Sequence, residues 1–257
     1  MLLAASSSPV SGSDVRLVAG LLLLMALAVA ACAVVGVAHR QAIVVASVRA
    51  AVQLFVVAAA LRGVFAAPWA VVGVLAVMFG VATWTATRRL RNFPHAYSAV
   101  VRSCGGGAAV AIAVVLGLPM LQRDVRTLVA VSGIVIGGCM TAATLTGRRL
   151  ADGLHRRREE VEGWLALGAT SRHAVRDVAR SAMHDALIPA LDQTRTVGLV
   201  TLPGTFVGAL IGGAGAAGAA RFQLTVLVAL LCAQAITSAT LIWLLGAPAV
   251  LPATETG

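Results

Sequence analysis

Two polar side chains stand inside an apolar run near the N-terminal end of this sequence. Arg49 and Gln53 lie one helical turn apart in IVVASVRAAVQLFVV. A charge inside a membrane span usually faces a bundle interior or a wet cavity, so the pair could line a substrate pathway. Alternatively, Arg49 extends to nearby lipid headgroups and has only a structural role. The sequence leaves both interpretations open.

A second polar pair precedes a broken apolar segment. Asp192 and Arg195 are three residues apart, which suits an ion pair within one helix or, alternatively, a gate that contacts the substrate. Pro203 and Gly204 follow in TVGLVTLPGTFVGALIGG, where the proline predicts a break in the helix. The predicted substrate pathway therefore comprises the following residues: Arg49, Gln53, Asp192, Arg195, Pro203 and Gly204.

The sequence gives little indication of catalytic or cofactor chemistry. Cys139 and Met140 are soft ligands, but neighbouring helical residues point about 100° apart, which favours packing over a shared metal ion. The chain has no clustered catalytic carboxylates, no Ser/His/Asp set and no HExxH helix. We therefore predict no catalytic residue, no metal site and no cofactor, and a protein that is not an enzyme.

The composition predicts an integral membrane protein. Hydrophobic residues make up 59% of the 257 residues and charged residues 12%, and soluble domains carry roughly 25% charged residues. Apolar runs predict an all-α fold with about seven transmembrane helices. The predicted spans are 17–38, 42–61, 67–87, 106–122, 127–146, 196–213 and 223–246.

Arginines set the predicted orientation. All twenty basic residues are arginine, and they are denser in the loops that include residues 88–102 and 147–193, which the positive-inside rule assigns to the cytoplasm. We expect a multi-pass protein of the inner (plasma) membrane with its N-terminus outside. The predicted organisation is an external tail (1–16), five spans (17–146), a cytoplasmic coupling segment (147–193), two spans (194–246) and a cytoplasmic tail (247–257).

The absence of lysine and of a basic aromatic face limits the possible partners. A Walker A loop needs a lysine for the nucleotide phosphates, so ATP-driven work would require a separate subunit. Tyr97 is the one tyrosine, and the arginines lie mainly beside apolar runs. Loop arginines beside spans indicate membrane lipid as the neighbour and argue against nucleic acid.

An amphipathic segment, EEVEGWLALGATSRHAVRD at 159–177, interrupts the apolar chain. Helical spacing gives it one apolar stripe, and Thr170 or Ser171 can cap a following helix. In that helix Arg172, Arg176 and Arg180 recur every four residues, as anionic headgroups would favour. The segment is either a hairpin on the membrane surface or a short docking helix for a cytoplasmic partner.

Several strings together resemble the FetB-type permeases of ABC exporters, which are relatives of the plant aluminium-tolerance permeases. They are LALGAT after Glu162, ALIPALDQTRTVGLVTLPGTFVGALIGG, ARFQLTVLVALL, SVRAAVQLFVVAAALRGVF and GIVIGGCMTAATL. The resemblance extends from Leu17 to Leu245, in order, and is densest from 160 to 224. It departs from the family at Gly-Cys-Met (138–140) and at PGTF (203–206).

The resemblance implies a permease, working as a pair of copies, that is driven by a separate ABC ATPase subunit and exports iron or another metal cation. It also implies that the amphipathic segment is the helix that couples to the ATPase. The implied coupling residues are Glu162, Trp164, Leu165, Leu167, Gly168, Ala169 and Thr170. The alternatives are an ABC permease for a nucleotide-sugar, since plant relatives are linked to such transport, and a small secondary transporter or channel without an ATPase.

The orientation predicts which side of the membrane exposes residue 155. In a variant without its four native cysteines, a cysteine at position 155 should react with an impermeant maleimide only when the cytoplasmic face is accessible. Ala214→Cys, in the predicted external turn, should show the opposite pattern. Labelling of position 155 from outside intact cells would reverse the orientation.

Overall fold

The computed structural model describes residues 12–36, 40–66, 70–118, 120–122 and 124–247. Most of the predicted external tail, Arg123 and residues 248–257 of the predicted cytoplasmic tail lie outside the described residues. The described chain is almost entirely α-helical, which confirms the predicted fold class. It divides into two compact units, residues 1–67 and 68–257.

The first unit contains two helices that pack against each other, α1 (Gly12–Val35) and α2 (Arg40–Ala66). Nearly all of their described side chains are exposed, and most of those are apolar. Such a surface is stable next to lipid chains and costly next to water, so both helices suit a bilayer.

The second unit is a helical bundle. Its long helices are α3 (Ala70–Arg89), α4 (Ala96–Gly117), α5 (Val125–Arg156), α8 (Arg176–Thr196) and α10 (Ala216–Leu245). Its short helices are α6 (Arg158–Ala166), α7 (Ser171–Ala174) and α9 (Gly204–Ile211). Helix α10 packs most extensively on α4 and α5, while α3 and α8 pack on α5.

Six helices in the described chain are long and apolar enough to cross a membrane: α1, α2, α3, α4, α5 and α10. Helix α4 begins ten residues before the predicted span, and α5 continues ten residues beyond its predicted span. These differences arise because hydropathy marks the apolar part of a helix, whereas backbone hydrogen bonding continues through polar residues.

The predicted sixth span, 196–213, is interrupted. Helix α8 ends at Thr196, residues 197–203 are non-helical, and Pro203 precedes the eight-residue α9. A helix of eight residues is about 12 Å long, so it cannot cross the roughly 30 Å hydrocarbon layer alone. The break expected from Pro203 is therefore present, and α9 covers only part of the span.

Small residues bring α10 close to its neighbours. A Cβ added to Gly107 of α4 would lie 2.5 Å from the carbonyl oxygen of Ala233 and would also overlap the hydroxyl of Thr237. A Cβ on Gly138 of α5 would overlap a methyl group of Leu230. Helices in membranes associate through such close packing, because lipid provides no hydrophobic force between them.

Two buried hydrogen bonds fix the register of the bundle. Thr146 Oγ1 donates to Ser238 Oγ at 2.9 Å, joining α5 to α10. Thr237 Oγ1 donates to the carbonyl oxygen of Ser103 at 3.3 Å, joining α10 to α4. Buried polar groups are stable only when they are hydrogen-bonded, so sliding α10 along either neighbour would leave them unpaired.

Gly107→Ala should destabilise the bundle, since the new methyl group meets backbone atoms of α10 that cannot move alone. Overpacking of this kind costs about 1–3 kcal/mol, and thermal unfolding of the purified protein in detergent should show a lower Tm. Gly106→Ala is the matched control, because its Cβ would meet nothing within 4 Å. Equal Tm values for the two variants would contradict the close approach of α4 and α10.

Candidate coupling and pathway sites

Helix α6 begins with two exposed ion pairs. The Arg157 guanidinium donates two hydrogen bonds to Glu160, at 2.7 and 2.6 Å, and these hold the pKa of the Glu160 carboxyl below its usual range. Arg158 Nε donates to Glu162 at 2.7 Å. Glu162 was expected to offer its charge to a partner; in the chain alone, that charge is already paired with Arg158.

The end of α6 is a tight glycine turn. Gly168 has φ +85°, a backbone conformation that favours glycine. Its N–H donates to Leu165 O, and the Ala169 N–H donates to Trp164 O, both at 3.0 Å. These two bonds form the Schellman motif, which satisfies the last carbonyl groups of a helix and reverses the chain.

The turn exposes apolar side chains. Leu167, at its apex, is 82% exposed, and Trp164 and Leu165 are also exposed. Trp164 contacts His173 edge-on, with ring centres 5.6 Å apart. Thr170 caps the next helix, since its side chain accepts a hydrogen bond from the His173 N–H. We call residues 164–170 the coupling tip.

The coupling tip is anchored to the bundle on both sides. Before it, Val161 of α6 is 1% exposed; after it, Val175 is also 1% exposed, and both belong to the continuous core. Val178 of α8 packs on α5 so closely that a Cβ on Gly153 would lie 2.6 Å from its methyl group. The tip is therefore an exposed apolar turn on a rigid base.

Helix α8 runs antiparallel to α10. At one end, Arg172, just before α8, lies against the last turn of α10, where its guanidinium donates to Trp243 O at 3.2 Å. At the other end, Val197 and Gly198 share a cavity with Leu224 of α10. Helix α10 is about 29 Å long from Leu224 to Trp243. Helix α8 therefore runs along the apolar stretch of α10. Residues 184–195 of α8 lie between its contacts with Trp243 and with Leu224.

The charged residues of α8 lie on its exposed side. Val178, Ala182 and Ala186 are buried, whereas Asp185, Asp192 and Arg195 are exposed. Arg195 Nη1 is 3.6 Å from Asp192 Oδ1, a long surface contact, and such contacts contribute little to stability. Asp185 was not among the residues predicted from the sequence. The sequence feature that could have identified Asp185 is its seven-residue spacing from Asp192, which places both carboxylates on one helix face.

The break after α8 encloses a small apolar cavity of about 150 Å³. Leu202, Pro203 and Phe206 line it from one side and α10 from the other. The Thr205 hydroxyl donates to the Gln223 side-chain oxygen and joins α9 to α10. Pro203 directly precedes α9 and Gly204 is its first residue. These two predicted pathway residues therefore lie at the break.

Two further predicted pathway residues lie in the first unit, and the Cys139–Met140 pair lies in the second. Arg49 and Gln53 are exposed on α2, in the first unit. Cys139 is fully buried in the core of the second unit, and Met140 packs against that core. Among the described residues, no group of three or more His, Cys, Asp or Glu side chains is placed to hold a metal ion.

Comparison with known proteins identifies relatives over most of the chain. Residues 15–248 match the family described as "Uncharacterised protein family (UPF0014)". The chain is similar to UPF0014 membrane protein STAR2 of Oryza sativa subsp. japonica, with 33% identity over 75% of this chain and 68% of the relative. It is similar to UPF0014 membrane protein YjkA of Bacillus subtilis, with 30% identity over 76% and 78%.

A further relative carries a more specific name. The chain is 28% identical to the "Probable iron export permease protein FetB" of Escherichia coli, over 74% of each chain. No solved structure shows a significant match.

Proposed function

The chain belongs to the UPF0014 family of membrane proteins, and from this we propose that it is the permease subunit of an ABC transporter, driven by a separate ATPase subunit, that exports iron or another metal cation. It is a multi-pass membrane protein. We also propose that the protein lies in the inner membrane, with its N-terminus outside and its C-terminus in the cytoplasm. The similarity to a protein named as a probable iron export permease supports the substrate class.

The coupling tip is the observation that carries the proposal. A permease without its own nucleotide-binding loop must receive motion from a partner through a small, stiff contact. Leu167 is an exposed apolar side chain on a glycine turn, and residues on both sides of the turn are buried in the bundle. Exposed apolar side chains of this kind anchor protein interfaces when a partner provides a pocket.

The exposed side of α8 supports a polar pathway through the membrane. Charged side chains at membrane depth are costly in lipid and usually face a bundle interior or a wet cavity. Asp185 and Asp192 are exposed in the described chain, and they lie at the level of the apolar stretch of α10. In our proposal these carboxylates face a water-filled path, where their oxygen atoms can hold a divalent cation briefly.

A second copy of the chain would complete that path. The polar side of α8 is open in one chain, and a symmetric pair would bring two such sides together around an axis. The path would then be lined by four carboxylates, two from each copy. Placed between two chains, they would meet water rather than lipid, which removes most of the desolvation cost.

Leu167→Glu should abolish association with the ATPase, because a carboxylate cannot enter an apolar pocket without losing its hydration. The tagged chain is purified from its native membranes, and the co-purifying ABC ATPase is identified and quantified by mass spectrometry. We expect at least a tenfold loss of ATPase, with unchanged yield of the permease, since Leu167 makes no buried contact.

His155→Glu is the control for this experiment. It places the same charge on an exposed residue at the end of α5, outside the coupling tip, and should leave the ATPase bound. Normal recovery of the ATPase with Leu167→Glu would mean that the tip is only a surface hairpin.

The double variant Asp185→Asn, Asp192→Asn should impair transport while it keeps the ATPase bound. The change removes two negative charges and preserves side-chain size, so a cation would lose its attraction to the path. ATP-dependent Fe²⁺ uptake into inside-out vesicles should fall at least tenfold. Asp152→Asn, on an exposed face of α5, is the control for the loss of a carboxylate outside the proposed path. Unchanged uptake in the double variant would remove both carboxylates from the pathway.

A further inference from the structure

A second cavity, of about 300 Å³, lies where α8 begins and α10 ends. Arg172, Arg176 and Arg180 line one wall, and Trp243 and Ile242 of α10 line the other. It is separate from the coupling tip, from the exposed carboxylates of α8 and from the break at Pro203. Neither the proposed transport path nor the proposed ATPase contact uses it.

The three arginines have no anionic partner. Among the described residues, no carboxylate lies within ion-pair distance of Arg172, Arg176 or Arg180. No acidic side chain lines the cavity. Guanidinium groups gathered around one space repel each other, and the fork of donors on each group matches phosphate oxygens. The cavity therefore offers three guanidinium groups to an anion.

Arg172 is held in place before any ligand arrives. Its guanidinium stacks over the Trp243 ring, with 5.4 Å from Cζ to the ring centre, and donates to the Trp243 carbonyl oxygen at 3.2 Å. A guanidinium has five N–H donors, so donors remain for a ligand. A donor that is already ordered loses less conformational entropy on binding.

The residues around the cavity are of the types found at the level of lipid headgroups. Trp243 is 62% exposed, and it stands at the end of the apolar helix α10, where aromatic side chains commonly mark the membrane interface. Met183 and Ala239 extend the cavity along the apolar stretch of α10. The arginine-lined wall is thus next to an apolar surface formed by Met183 and Ala239. In a phospholipid, the phosphate is likewise next to the acyl chains.

We propose that this cavity binds the phosphate headgroup of an anionic phospholipid. Arg172, Arg176 and Arg180 hold the phosphate, and the first carbons of the acyl chains lie on Met183 and Ala239. A soluble phosphate compound would use the arginines but would gain nothing from the apolar surface. A lipid uses both and is present at high local concentration.

The test is lipid binding by the purified full-length chain in detergent, measured by native mass spectrometry. The chain is titrated with phosphatidylglycerol and, separately, with zwitterionic phosphatidylcholine. The triple variant Arg172→Gln, Arg176→Gln, Arg180→Gln should lose phosphatidylglycerol binding, at about fivefold for each arginine and roughly a hundredfold in total. The single variant Arg180→Gln, with an exposed side chain, should lose about fivefold.

The control triple Arg148→Gln, Arg149→Gln, Arg156→Gln changes the net charge equally on exposed residues of α5 and should bind phosphatidylglycerol as the unmodified chain does. Equal losses in the two triples would mean general surface attraction and would overturn the site. Displacement of phosphatidylglycerol by millimolar inorganic phosphate would overturn the lipid assignment, and so would equal affinity for phosphatidylcholine.

Discussion

The close approach of α10 to α4 and α5 is the constraint on which the second unit depends. Gly107 and Gly138 leave no space for a Cβ, and Thr237 uses that proximity to donate to a backbone carbonyl of α4. In lipid, such contacts replace the hydrophobic force that drives packing in water. A core built in this way resists sliding and bending. In the proposed function, movement therefore occurs outside this core, at the non-helical break that follows α8.

Helix α8 has an apolar buried side and a charged exposed side. Its buried side packs alanine and valine on α5, as an ordinary helix would. Its other side carries Asp185, Asp192 and Arg195 beside the apolar stretch of α10, where exposure to lipid would cost several kcal/mol for each charge. The cost disappears when the side faces water or a second chain. This cost is the reason for which we propose a water-filled path beside α8 and a second copy of the chain.

The sequence predicts the apolar helices, because a run of about 20 apolar residues is stable mainly as a helix across a membrane. It also predicts that a new helix begins near residue 170, since Thr170 is a local capping signal. It does not predict how far α5 continues, because LADGLHR has helical propensity without hydropathy. The placement of α8 beside α10 was not predicted either. Helical periodicity defines the faces of α8, but not which helix each face contacts, so Asp185 was overlooked.

The mechanical link from the coupling tip to the break follows from which residues are buried. In the proposed function, a force on Leu167 would pass through Val161 and Val175, which are buried in the core, and then into α8 through Val178, which packs against Gly153. Helix α8 is continuous to Thr196, despite Pro189, so it transmits displacement along its length. Beyond it, Gly198 has φ +81°, and residues 197–203 are non-helical, with turn hydrogen bonds to the carbonyl groups of Thr196 and Thr201 in place of a continuous helix. The first segment able to deform is therefore the break, beside the exposed carboxylate of Asp192.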